Sequence, residues 1–150
     1  MQPLSLPPVT RVWIAYDAAC GLCTAVRDWI SRQAPLVRLK FVASGSAEAR
    51  KWFPQLPAGE LAVVADTGEV WLGNRAWIVC LWALRDYRSW AMRLSSPGLQ
   101  RLAREAFSVL SNNRSALSAM LGLRSDVELE KQLRGVIVQK CESAPLTPRS

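Results

Sequence analysis

The chain contains no histidine. That absence removes Cys–His and Ser–His nucleophile pairs, histidine-bearing zinc sites and imidazole proton shuttles, leaving cysteine, carboxylates and basic groups to carry any polar chemistry. Long apolar runs are also missing. The longest, Ala76–Leu84, is nine residues, well short of the ~18–20 that a membrane-spanning helix needs. Residues Met1–Thr10 hold Pro3, Ser5, Pro7 and Pro8 instead of a basic stretch followed by an apolar one, so they do not read as a secretory signal. The expected setting is therefore cytoplasmic and reducing. No glycine-rich phosphate loop occurs, and no internal repeat.

Acidic residues are fewer than basic ones, 12 against 19, for a net charge of +7. The excess is spread thinly: 7 basic and 4 acidic side chains over residues 1–60, 4 and 3 over 61–95, 8 and 5 over 96–150. With no Lys/Arg run and no basic patch interleaved with aromatics, the charge predicts weak, salt-sensitive attraction to acidic surfaces and no specific nucleic-acid partner.

What the chain does have is a core. Its 150 residues are half apolar, enough for one domain without disulfide staples. After a proline-rich lead, Val12–Tyr16 is a continuous β-branched and aromatic run of the kind that forms a buried strand. Asp17–Gly21 supplies turn residues, and Leu22, Ala25, Val26, Trp29 and Ile30 then recur at helical spacing up to Pro35. Val37–Val42 alternates apolar and basic residues as a half-buried strand, and a short helix over Ala47–Phe53 stops at Pro54. Leu61–Ala65, the turn Asp66-Thr67-Gly68 and Glu69–Leu72 make a hairpin. The remainder reads as helical: Arg75–Tyr87, apolar nearly all round, an amphipathic stripe from Leu99 to Leu110, a further turn or two around Leu117–Leu121, and a short helix over Val127–Leu133. The end, from Ser143, reads as frayed. The fold class is α/β: a small mixed β-sheet flanked by helices, with extra C-terminal helices. Residues 1–11 form a lead, 12–122 the domain, and 123–150 a partly disordered tail.

Cys20-Gly21-Leu22-Cys23 lies where the first strand hands over to the first helix, and that context turns a CxxC string into a redox expectation. At ~100° per residue, the apolar stripe centres roughly 150° from Cys20 and roughly 90° from Cys23. Cys20 is thus expected to point outward and meet a substrate, with Cys23 on the buried shoulder, placed to resolve a mixed disulfide. Free N–H groups and the positive end of the helix dipole favour a thiolate on Cys20. Asp17 is expected to fix the turn as Asx residues do, with proton relay to Cys23 as its other reading. Cys80, inside the most apolar helix, reads as a buried small hydrophobe, and Cys141 as a bystander thiol. A structural zinc site wants four ligands, and neither remaining cysteine belongs to a second CxxC.

The string Tyr16-Asp17-Ala18-Ala19-Cys20-Gly21-Leu22-Cys23 resembles the DCC family of thiol–disulfide oxidoreductases, named for its Asp and two Cys, with Ala18 where glycine is usual. Leu39–Val42 resembles the family's second strand, Val63–Trp71 its hairpin, and Ala106–Arg114 followed by Leu121-Gly122 its C-terminal helical segment. The resemblance implies a thioredoxin-like fold and disulfide reductase or oxidase activity. Thioredoxins start their third strand with a cis-proline facing the cysteines; here Glu60 and its neighbours fall there, and Pro57 lies outside that register. The expected function is thiol–disulfide exchange of the protein-disulfide reductase type, with catalytic residues Cys20, Cys23 and Asp17 and no metal or cofactor. Its partners would be a disulfide-containing protein or small thiol and a separate reductant. The alternative is a non-catalytic module whose cysteines are idle or hold a metal.

Overall fold

The computed structural model of the protein describes residues 8–142. Four strands, β1 (Arg11–Tyr16), β2 (Arg38–Ala43), β3 (Ala62–Ala65) and β4 (Val70–Leu72), form one mixed sheet in the order β2-β1-β3-β4. β1 pairs parallel with β2 from Arg11↔Arg38 to Tyr16↔Ala43 and antiparallel with β3 from Val12↔Ala65 to Ala15↔Ala62. β3 pairs antiparallel with β4 through the expected hairpin, where Gly68 takes the positive φ (98°) that the turn requires. This is the α/β, thioredoxin-like layout expected from the sequence.

The central position of β1 explains its composition. A strand covered on both faces reads as a continuous apolar run. Val12 and Ile14 meet Ile30 of α1 (Gly21–Ser31) and Ala76, Cys80 and Leu84 from α3 (Gly73–Trp82) and the residues after it. On the opposite face Ala15 packs with Val42, Ala62 and Ala49 of α2 (Ala47–Trp52). Cys80 is the buried hydrophobe expected of it, 1% exposed. Edge strand β2 keeps the alternation read from its sequence, with Arg38 and Lys40 exposed.

Three expectations need correction. The helix expected over Arg75–Tyr87 is α3, which stops at Trp82. Leu84, fully buried, turns extended, and the chain pairs with the segment after α1: the Leu36 N–H bonds the Ala83 carbonyl and the Arg85 N–H the Ala34 carbonyl. One 3-10 turn (Arg85–Tyr87) leads into α4 (Arg88–Leu94), which the apolar periodicity did not reveal. Arg88 secures the break, stacking 4.3 Å from the Trp82 ring and donating from Nε to the Trp82 carbonyl at 2.8 Å. After α5 (Pro97–Asn112) and α6 (Arg114–Met120), the third correction is that the helix expected over Val127–Leu133 is longer: α7 spans Asp126–Glu142. The residues expected to fray, 143–150, and the side chain of Cys141 lie outside what is described. Among the described residues no helix is long and apolar enough to cross a membrane.

Candidate active site

Central strand β1 ends at Tyr16, and one turn beginning at Asp17 joins it to α1. The Cys20 N–H bonds the Asp17 carbonyl at 3.1 Å, and the Ala19 N–H bonds Asp17 Oδ1 at 3.0 Å, the Asx turn expected of this aspartate. Cys20 is then the N-cap of α1, its backbone extended and its Sγ accepting the Cys23 N–H at 3.2 Å. A sulfur thus takes the place where Ser or Asp usually caps a helix, at the positive end of the helix dipole.

The exposure of the two thiols is the reverse of the helix projection. Cys20 is buried, 8% exposed, and Cys23 is half-buried. Residues 121–125, the strap joining α6 to α7, run past the neighbouring Gly21. Gly21 lies so close beneath it that a Cβ there would sit 2.7 Å from the Leu123 carbonyl oxygen. Hydrogen bonds tie both ends of the strap to the cysteine loop. The Leu22 N–H donates to Ser118 Oγ at 2.9 Å, the Val127 N–H to the Ala18 carbonyl at 3.4 Å, and the Asp126 N–H to Thr24 Oγ1 at 3.4 Å. Asp126 also clasps the end of β1, accepting from the Tyr16 hydroxyl at 2.7 Å and from Arg27 Nη2 at 3.1 Å. Arg27 is engaged there and with Asp28 at 2.8 Å, its guanidinium over the Tyr16 ring.

Arg114, at the start of α6, holds Asp17 Oδ2 at 3.2 Å and the Gly59 carbonyl at 2.8 Å, joining the cysteine loop to the segment before β3. Between these elements lies a cavity of about 360 Å³. The Cys23 side of α1 forms one wall, Glu60 and Leu61 a second, and Phe107 and Leu110 of α5 a third. Cys20 does not line it. Sequence reasoning placed Asp17, Cys20 and Cys23 together, and the structure brings them together; it also adds Arg114, Ser118 and Asp126. Signals for two of these were present. Asn113-Arg114 stood in the segment carrying the family resemblance, and Ser125 with Glu128 forms a capping box that marks the start of α7.

Burial, then a thiol hydrogen bond with Cys20, then the charge of Cys20 push the Cys23 thiol up from 9.0 to about 12. Burial alone does the same to Cys80, and burial with the hydrogen bond to Asp126 lifts Tyr16 to about 12. All three shifts are upward. Below pH 9 both folded and unfolded chains keep these protons and nothing is lost. As pH climbs from about 9 to 12, the unfolded chain releases protons that the folded chain retains, so stability falls by about 1.4 kcal/mol per pH unit for a fully buried thiol. Thermal melts of the reduced protein from pH 8 to 11 should therefore fall more steeply above pH 9 than those of Cys80→Ala, and parallel curves would contradict this.

Among the described residues no group of three or more His, Cys, Asp or Glu is arranged to hold a metal ion. A family model described as DCC1-like thiol-disulfide oxidoreductase matches residues 14–120, more than two-thirds of the chain. No curated protein and no solved structure matches it.

Proposed function

The chain belongs to the DCC1-like thiol-disulfide oxidoreductase family, and from that membership and the cysteine geometry we propose that it reduces disulfides in a reducing, cytoplasmic setting, with Cys20 as nucleophile and Cys23 as resolver. The observation that carries this reading is the unequal environment of two adjacent sulfurs. Cys20 Sγ receives a backbone N–H at the head of a helix, an arrangement that stabilises negative charge there. Cys23 is held as the thiol, up at about 12.

In the proposed sequence the Cys20 thiolate attacks one sulfur of a substrate disulfide, forming a mixed disulfide and expelling the other sulfur as a thiolate that takes up a proton. Cys23 then loses its proton and attacks the Cys20 sulfur. The second substrate thiol leaves, and the protein is left with a Cys20–Cys23 disulfide, two electrons having passed to the substrate. An external dithiol returns them. Asp17 is a positioning residue in this reading. Its carboxylate is occupied by the Ala19 N–H and Arg114, and its negative charge adds only the smallest of the upward pushes on Cys23, after burial and Cys20.

The test is the rate at which dithiothreitol reduces 2-hydroxyethyl disulfide, a small neutral substrate, with and without the protein. A rate well above background is expected, and fully oxidised protein should weigh 2 Da less than reduced. Asp17→Asn, which keeps the Asx acceptor, should retain the rate within about threefold; a large loss in a folded variant would move the proton role to Asp17. No acceleration by wild-type protein defeats the enzymatic reading.

A further inference from the structure

The cavity beside Cys23 matches small-molecule sites in size, about 360 Å³, and its walls are mostly apolar, with Leu61, Trp77, Phe107 and Leu110 among them. We propose that it seats the organic group of a neutral, apolar low-molecular-weight disulfide, bringing the disulfide in beside Cys23, where the hydrogen-bonded neighbour Cys20 attacks it. This rests on the exchange reading above and names its substrate class.

Access argues for a small molecule. Cys20 is 8% exposed and Cys23 lines the cavity, which makes the cavity an open route to the pair for a molecule small enough to enter it. Charge argues against an anion. Two guanidiniums, Arg27 and Arg114, face four carboxylates: Asp17 and Glu60 in the walls, and Asp28 and Asp126 bonded to Arg27. Both cations are already paired, whereas Glu60 has no ion pair among the described residues. A carboxylate-rich disulfide such as glutathione disulfide would bring charge to a site already net negative. A buried cation would have to leave water for an apolar wall.

The step balances without a further reagent. Reduced protein and one disulfide R–S–S–R give the Cys20–Cys23 disulfide and two R–SH, two electrons and two protons passing from the dithiol to the organic sulfurs.

Single-turnover oxidation of the reduced protein should be followed with neutral 4,4′-dithiodipyridine, dianionic 5,5′-dithiobis(2-nitrobenzoate) and dicationic cystamine, each rate divided by that with a free cysteine peptide. The neutral aromatic disulfide should lead both charged ones by at least tenfold, and Leu110→Trp, which fills the cavity, should cut that lead to about twofold. Separately, 4,4′-dipyridyl sulfide, which cannot exchange, should bind the Cys20→Ser/Cys23→Ser protein and change Trp77 fluorescence. Equal normalised rates, or a lead for either charged disulfide, overturn the proposal, as does absence of sulfide binding. If 2-hydroxyethyl disulfide is reduced but these preferences fail, the cavity assignment alone falls. If no disulfide reacts, the exchange reading falls, while sulfide binding still reports on the cavity.

Discussion

Reduced Cys23→Ser protein given 2-hydroxyethyl disulfide should gain one mercaptoethanol half and hold it, while Cys20→Ser should gain it more slowly than an ordinary thiol. The slower reaction follows from the Cys23 environment. Burial, the largest cause that raises this thiol, persists when Cys20 is replaced, whereas the hydrogen bond and charge of Cys20 go with it, so the Cys23 thiolate stays scarce at pH 7. With Cys23 gone, Cys20 still attacks but nothing displaces the adduct, so intact mass should show a single persistent addition. Catalytic turnover should drop to background in both variants, for opposite reasons: one cannot form the intermediate at a useful rate and the other cannot release it. Equal adducts on both variants, or an adduct on Cys80, would overturn the assignment of roles.

Gly21→Ala is the second large effect. Alanine is the better helix former by about 0.5–1 kcal/mol, so at an open helix position the change stabilises. Here the added methyl meets the Leu123 carbonyl at 2.7 Å and its carbon at 3.0 Å. These are backbone atoms, so relief requires the strap to move, and overpacking of this kind costs about 1–3 kcal/mol. The expected result is a lower melting temperature together with faster alkylation of Cys20 by iodoacetamide, because the displacement loosens the segment packed beside the cysteine loop. A disulfide within a folded protein should also become a better substrate relative to 2-hydroxyethyl disulfide. Unchanged Cys20 alkylation in a destabilised Gly21→Ala protein would mean that the strap does not limit access.

The parts of the fold legible in the sequence are those whose pattern is local. β1 is a continuous apolar run, β2 alternates, and the hairpin carries its own turn residues, so period and turn chemistry sufficed. The end of α3 was not legible because nothing in the apolar string before Leu84 forbids another turn. What ends the helix is a pairing with Ala34–Leu36, some fifty residues earlier in the chain. The cysteine site divides the same way. Projection around α1 places each thiol relative to that helix alone. It carries no information on what approaches the other side. Residues about a hundred positions later pack beside the cysteine loop, and their reach back to Tyr16 and Arg27 leaves no periodic trace.

The separation between Cys20 and the clasp at Asp126, 106 positions, also sets a clock. At about 5–20 residues per second, a ribosome needs roughly 5–20 s to travel from one codon to the other. Throughout that interval the residues that bond Ala18, Tyr16 and Thr24 from the start of α7 do not yet exist, so the cysteine loop is made long before the contacts that hold it.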